Sequence, residues 1–257
     1  MKKIALILGA SEGLGFACAK ALLEDGVQVC IVSRTEAKLA RAVEELSKIN
    51  SQNIISYAGD IAQEATLLNA KKLVESKWGK INILINSNGG PKAGKVTNLS
   101  DNDWKESFEK YALPVFRSIR SLVPDMIENN WGRIITIGSI AAKEPIENLD
   151  ISNFIRSGFL GMHKTLSREV AKNNINVHNI LPGSILTSRT EERILQRSKD
   201  LSISLEKSQE MSVAKIPKGK LGDPSDVGNL VAFLCSDKSG YLTGNSFLVD
   251  GGSSFSI

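Results

Sequence analysis

Three glycines, Gly9, Gly13 and Gly15, follow the apolar run Ile4 to Leu8 and open an amphipathic pattern from Gly15 to Asp25. A strand, a glycine turn and a helix N-terminus in series make a phosphate-binding arrangement. Without a Cβ the backbone can approach the ligand, and the free N–H groups at the positive end of the helix dipole attract anionic oxygens. Ser11 and Leu14 belong to the same turn. The GxxxGxG spacing differs from the GxGxxG of other dinucleotide folds, yet its place after the first strand of an α/β pattern points to a pyrophosphate rather than to a purely structural turn.

The second apolar run, Val27 to Val32, ends on Ser33 and Arg34. An NAD site usually carries an acid there to bond the ribose 2′-hydroxyl. A guanidinium beside a hydroxyl suits a 2′-phosphate instead; the alternative is a solvated charge at a strand end. Glu12 in the glycine turn opposes the phosphate. The expectation is NADP(H) ahead of NAD(H).

Other reactive residues exclude more than they suggest. His163 and His178 have no carboxylate or histidine partners at a ligand or triad spacing, so neither a metal site nor Ser/His/Asp catalysis is expected. Cys18, Cys30 and Cys235 lie in apolar surroundings at no metal-ligand spacing, and three cannot all pair within one chain, which implies a reducing, cytoplasmic setting. The Met1-Lys2-Lys3 start imitates a signal peptide, but the apolar run behind it stops at Ser11-Glu12, so secretion is not expected.

The elements that must position these residues follow a regular alternation. Strand-sized runs recur at Ile4 to Leu8, Val27 to Val32, Ile54 to Tyr57, Ile81 to Ile85, Ile134 to Ile137, Ile175 to Leu181 and Ser246 to Val249. Helical patterns lie between them at Gly15 to Asp25, Thr35 to Ile49, Ala62 to Trp78, Asp101 to Asn129, Arg156 to Ala171 and Pro224 to Cys235. This order predicts an α/β fold: a doubly wound parallel sheet of about seven strands with helices on both faces. Ser100 with Asp103 reads as a capping box, Asp223-Pro224 as an N-cap before a first-turn proline, and Pro114 and Pro124 as kinks in the 101–129 helix. Residues 184–220 are polar, partly helical and interrupt the alternation, as a substrate lid would.

At 257 residues, with 42% hydrophobic and 23% charged, a single domain over 1–257 is expected. The balance of 32 Lys+Arg against 28 Asp+Glu, +4 overall, is spread without a basic block. No nucleic-acid partner is expected, and no membrane span, since no apolar stretch is long enough.

In order along the chain, these motifs resemble the short-chain dehydrogenase/reductase family from Ile4 to Gly252. The glycine motif matches, with Leu8 in place of the usual Thr. Asp60 matches an adenine-contacting acid, Asn86-Ser87-Asn88-Gly89 resembles an Asn-Asn-Ala-Gly turn, Pro182-Gly183 follows the sixth strand, Thr187 stands where the nicotinamide carboxamide is met, and Val249-Asp250-Gly251-Gly252 closes the set. The resemblance implies a Rossmann-type fold and a cofactor held by Gly9, Ser11, Gly13, Leu14, Gly15, Ser33, Arg34, Asp60, Ile61, Asn86, Ser87, Asn88, Gly89, Pro182, Gly183, Ile185 and Thr187, with Arg156 on the ribose. It also implies a homodimer or homotetramer through the helices of 101–129 and 156–171.

The family's Asn, Ser, Tyr and Lys set becomes Tyr111, Ser139, Ser152 and Arg156 here. A serine hydroxyl is a far weaker acid than a phenol, and a guanidinium does not shuttle protons. Arg156 is therefore expected to orient the cofactor and supply positive charge. Tyr111 reads either as a proton donor or as a packed helix tyrosine, Lys143 as a charge near the substrate or on the surface, and Asn153 as a substrate contact or a helix cap. The chain is similar to 3-oxoacyl-carrier-protein reductases and to a tyrosine-lacking subset that includes bacilysin-pathway reductases, with which it shares Gly89-Gly90-Pro91 and Ser152-Asn153-Phe154-Ile155-Arg156. The expected activity is NADP(H)-dependent hydride transfer to a carbonyl or conjugated enone of a small, possibly carrier-bound, molecule. The alternative is a catalytically impaired NADP(H)-binding regulatory or scaffold protein.

Overall fold

A computed structural model describes residues 2–256. Seven strands, β1 (Ile4–Leu8), β2 (Gln28–Ser33), β3 (Ile54–Ala58), β4 (Ile83–Asn86), β5 (Gly132–Ile137), β6 (Ile175–Pro182) and β7 (Asn245–Val249), form one sheet in the order β3-β2-β1-β4-β5-β6-β7. Every pairing is parallel. Every residue of β1, β4, β5 and β6 is buried, the expected outcome where helices cover both faces and the strand sequence is apolar without alternation. The doubly wound fold read from the sequence is the fold observed.

The two faces carry separate cores. One gathers Ile7, Val29 and Ile31 of the sheet against Leu22 of α1 (Gly13–Glu24), Leu46 of α2 (Glu36–Asn50) and Val231 of α9 (Pro224–Cys235). The other packs Leu6, Leu84 and Ile134 on Val74 of α3 (Glu64–Lys77), Leu122 of α5 (Leu113–Glu128) and Phe159 of α6 (Asp150–Val170). The chain reverses direction in the sheet between β1 and β4, so the connections after these strands diverge and leave a crevice at their carboxyl ends.

Two helices differ from expectation in ways that shape the site. The 101–129 pattern is three pieces: α4 (Asp101–Ser107), a π-helical turn over Phe108–Ala112, and α5. The break comes from that wide turn ahead of Pro114, which sits harmlessly in the first turn of α5, while Pro124 lies inside it. The helix expected from Arg156 begins six residues earlier, at Asp150, whose carboxylate accepts from the Val96 N–H at 2.7 Å. Ser152 and Arg156 thus share one helix, a turn apart. The capping boxes at Ser100 and Asp223 are both present.

Residues 184–220 form α7 (Ser188–Asp200) and α8 (Leu205–Val213), held at their base where the Leu186 N–H donates to the Gly222 carbonyl at 2.8 Å. Among the described residues no helix is long and apolar enough to cross a membrane, and no His/Cys/Asp/Glu group of three could hold a metal. The three cysteines are buried and free.

Candidate active site

The carboxyl ends of the strands open on a cleft of about 500 Å³. Its first half is built from the β1 turn. A Cβ on Gly9 would stand 2.3 Å from the Ser87 carbonyl oxygen, and one on Gly15 2.3 Å from that of Gly9, so only glycine lets the turn close against the segment after β4. The α1 N-terminus behind it has no side-chain cap, which leaves its first N–H groups for a ligand's oxygens. Glu12, at the N-cap position, instead accepts from Lys38 Nζ at 2.9 and 3.0 Å. The repulsion expected from Glu12 is therefore offset by a lysine that sequence reading did not connect to it.

Beyond the turn, the Ser11 and Ser33 hydroxyls lie 2.9 Å apart, with Arg34 beside them on the cleft wall. Two hydroxyls and a guanidinium at one edge, with the nearby carboxylate paired, match a phosphate monoester on a ribose. Asp60 turns the chain after β3 by accepting from the Ala62 N–H at 3.0 Å, and it lines the cleft with Ile61. Gly13, Leu14, Ser87, Asn88, Gly89, Pro182, Gly183, Ile185 and Thr187 line it as well. These residues fit a dinucleotide laid across the strand ends.

Asn86 and Gly15 act from behind this surface. Asn86 is fully buried and accepts from the Ser118 hydroxyl at 3.0 Å, so its side chain ties β4 to α5. It lines a small inner cavity together with Tyr111, Thr136 and Arg156, where the amide nitrogen of Asn86 has no partner.

The second half of the cleft holds Tyr111, Ser139, Ser152 and Arg156, all four of the residues expected to do chemistry. The Arg156 guanidinium donates to the Ser152 hydroxyl at 3.1 Å, the Gly89 carbonyl at 3.2 Å and the Ile137 carbonyl at 3.4 Å. Three elements thereby fix one cation. Burial, then the charge of Arg189, pulls its pKa down to about 10, while Tyr111 acts in the opposite direction. It remains a cation at neutral pH. Ser139 accepts from the Ala141 N–H at 3.2 Å, which leaves its own proton to donate. Tyr111 sits in the π-helical turn, and that turn is what aims it at the Gly89 side of the cleft.

Other candidates fall elsewhere. Asn153 neither caps a helix nor enters the cleft; its amide clamps both the N–H and the carbonyl of Ile146, at 3.1 and 2.9 Å. Lys143 does not line the cleft. His163 is buried between Asn179 and Thr136, His178 bonds the Leu242 carbonyl, and neither lines the cleft. Lys110, Arg189 and Arg193 do line the cleft and were missed. The signal available was the i, i+4 spacing of Arg189 and Arg193 directly after Thr187.

Comparison with known proteins agrees with this fold. A family model described as enoyl-(acyl carrier protein) reductase matches residues 9–254. The 3-oxoacyl-[acyl-carrier-protein] reductase FabG of Escherichia coli K12 is 31% identical over 253 residues, 97% of this chain and 96% of the relative. Among solved structures, YwfH, an NADPH-dependent reductase involved in bacilysin biosynthesis, superposes with a TM-score of 0.93 at 28% identity over the full length of both chains. The L-sorbose reductase of Gluconobacter frateurii, complexed with NADPH and L-sorbose, gives 0.94 at 28% identity, covering 100% of this chain and 98% of the other.

Proposed function

Because this chain belongs to the short-chain dehydrogenase/reductase family, we propose that it is an NADPH-dependent reductase of a carbonyl or conjugated enone, with the enone as the better acceptor. The cofactor part of the reading is supported by the relatives solved as NADPH enzymes and by the Ser33–Arg34 edge with Glu12 neutralised. When bound, NADPH supplies the hydride.

The observation that carries the preference for an enone is the Ser152–Arg156 pair. Direct carbonyl reduction needs an acid to protonate the forming alkoxide in the same step. Neither member of this pair is such an acid, because the serine pKa is too high and the guanidinium keeps its proton. Hydride addition to the β-carbon of an enone instead places negative charge on an enolate oxygen, which hydrogen-bond donors and a fixed cation can hold until water protonates the α-carbon. The Ser152 hydroxyl, accepting from Arg156, is free to donate to that oxygen, and Ser139 supplies a second donor. Helices α7 and α8 serve as the lid that excludes water.

Tyr111 supports the second reading, carbonyl reduction with the phenol as acid, since it lines the same half of the cleft. A panel run with NADPH separates the two: turnover of α,β-unsaturated ketones with β-ketoacyl thioesters inert is the expected result. The reverse pattern would transfer the assignment to Tyr111. NADPH binding with neither class turned over would identify a cofactor-binding regulatory or scaffold protein.

A further inference from the structure

The substrate half of the cleft is lined by three arginines, Arg156, Arg189 and Arg193, and by no carboxylate. Arg156 approaches Gly89, and the Arg189 guanidinium reaches the next residue, with both terminal nitrogens 2.9 Å from where a Cβ of Gly90 would stand. Two guanidinium groups from different elements therefore converge on adjacent residues. Arg193, one turn further along α7, lines the same cleft, and Lys110 lines it as well but is already paired with Glu106 at 2.7 Å. The two carboxylates that line the cleft, Glu12 and Asp60, belong to the cofactor half, and Glu12 is already paired.

The arginines of α7 are not equivalent. Arg189, Arg193 and Arg197 repeat every four residues on one side of the helix, but Arg197 turns away to the Ser208 carbonyl and the Ser212 hydroxyl of α8. Arg189 and Arg193 have no hydrogen bond or ion pair among the described residues. Mutual repulsion adds to burial in lowering the pKa of Arg193, as it does for Arg156. Like charges held together without a counter-charge raise the energy of the closed lid until an anion arrives between them.

The cofactor's own anions have other hosts: the 2′-phosphate at Ser33 and Arg34, the pyrophosphate at the uncapped α1 N-terminus. Given the reductase reading above, on which this rests, we infer that Arg189 and Arg193 form an anion subsite for the substrate, taking a carboxylate or phosphoryl group carried on the enone or carbonyl compound. Forked donors on a lid helix would bind that group and close the lid over the reacting carbon in one movement.

The test is titration calorimetry on the NADP⁺-loaded protein with two matched pairs: 2-oxo-4-phenylbut-3-enoate against its methyl ester, and crotonyl-coenzyme A against the crotonyl thioester of N-acetylcysteamine. The charged member of at least one pair is expected to bind about tenfold tighter or more, as for a desolvated charge pair. The first pair reports a free carboxylate, the second the phosphate of a carrier arm. Arg189→Ala/Arg193→Ala, and the bulkier Arg189→Gln/Arg193→Gln, should erase the preference with NADP⁺ affinity retained. Equal binding within both pairs, or no binding of any probe, overturns the inference. So does a double variant that loses NADP⁺ affinity in proportion, which would assign the arginines to the pyrophosphate. Failure of the wild type to bind NADP⁺ at all would instead remove the reductase reading, and the inference with it.

Discussion

Arg156 donates through Nε to the hydroxyl of Ser152 at 3.1 Å, one turn away on the same helix. The bond makes Ser152 a polarised donor and Arg156 the fixed source of charge behind it. Removing the donor alone should cost less than removing the cation: Ser152→Ala is expected to lower kcat/KM by about tenfold, the low end for a hydrogen bond to a charged oxygen. Arg156→Ala removes the field and the anchor to Gly89 and Ile137, and should lose about 100-fold or more. Steady-state kinetics on both variants decide it; an Arg156→Ala enzyme with wild-type activity would place the chemistry elsewhere.

Tyr111→Phe distinguishes the two reductase mechanisms. For conjugate hydride addition kcat should fall less than about threefold, because water delivers the proton after the slow step. A drop of two orders of magnitude with NADPH affinity intact would make the phenol the acid of a carbonyl reduction.

Cofactor choice should depend on an exposed ion pair as well as on Arg34. Arg34→Ala is expected to narrow the preference for NADPH over NADH by about tenfold, and Lys38→Ala, which releases Glu12 toward the 2′-phosphate, to weaken NADPH while sparing NADH. Fluorescence titration of both cofactors reads the two effects. A preference untouched by Arg34→Ala would sink the Ser33–Arg34 assignment.

Stability should be sensitive to mild acid. Burial, the leading cause for both, holds His163 and His178 down to about 4, against the ordinary 6.5. The unfolded chain therefore binds more protons between those values, and stability falls as pH drops from 6.5 toward 4, by up to about 1.4 kcal/mol per pH unit for each histidine. Urea unfolding at pH 7 and pH 5 measures the slope, and His163→Gln should reduce it by about half. A flat profile over that window would show that the histidines titrate alike in both states.

A homodimer or homotetramer is expected. Phe154 and Phe108 are 65% and 42% exposed, the first against Trp104 of α4 and the second against Phe116 of α5. Burial against a second copy would remove this surface from water. Light scattering at micromolar concentration should give a multiple of the chain mass, reduced by Phe154→Glu; a monomer in the wild type would contradict the expectation.

The strands, the glycine turn and the Ser33–Arg34 edge were legible in the sequence because they rest on local rules: runs buried on both faces, residues without a Cβ, charge at a strand end. Those rules act over a few neighbours, so the order of residues carries them. That Ser152 and Arg156 lie four residues apart was legible too, and their shared helix makes that spacing a contact. What escaped depended on parts distant in the chain. Lys38 meets Glu12 across 26 positions, and the start of α6 is set by Asp150 accepting from Val96, 54 positions away. The convergence of Arg156 and Arg189 on Gly89 and Gly90 exists only because α6 and α7 meet at the segment after β4. Charges far apart in sequence interact with energies set by their distance in space, and the tertiary structure alone fixes that distance.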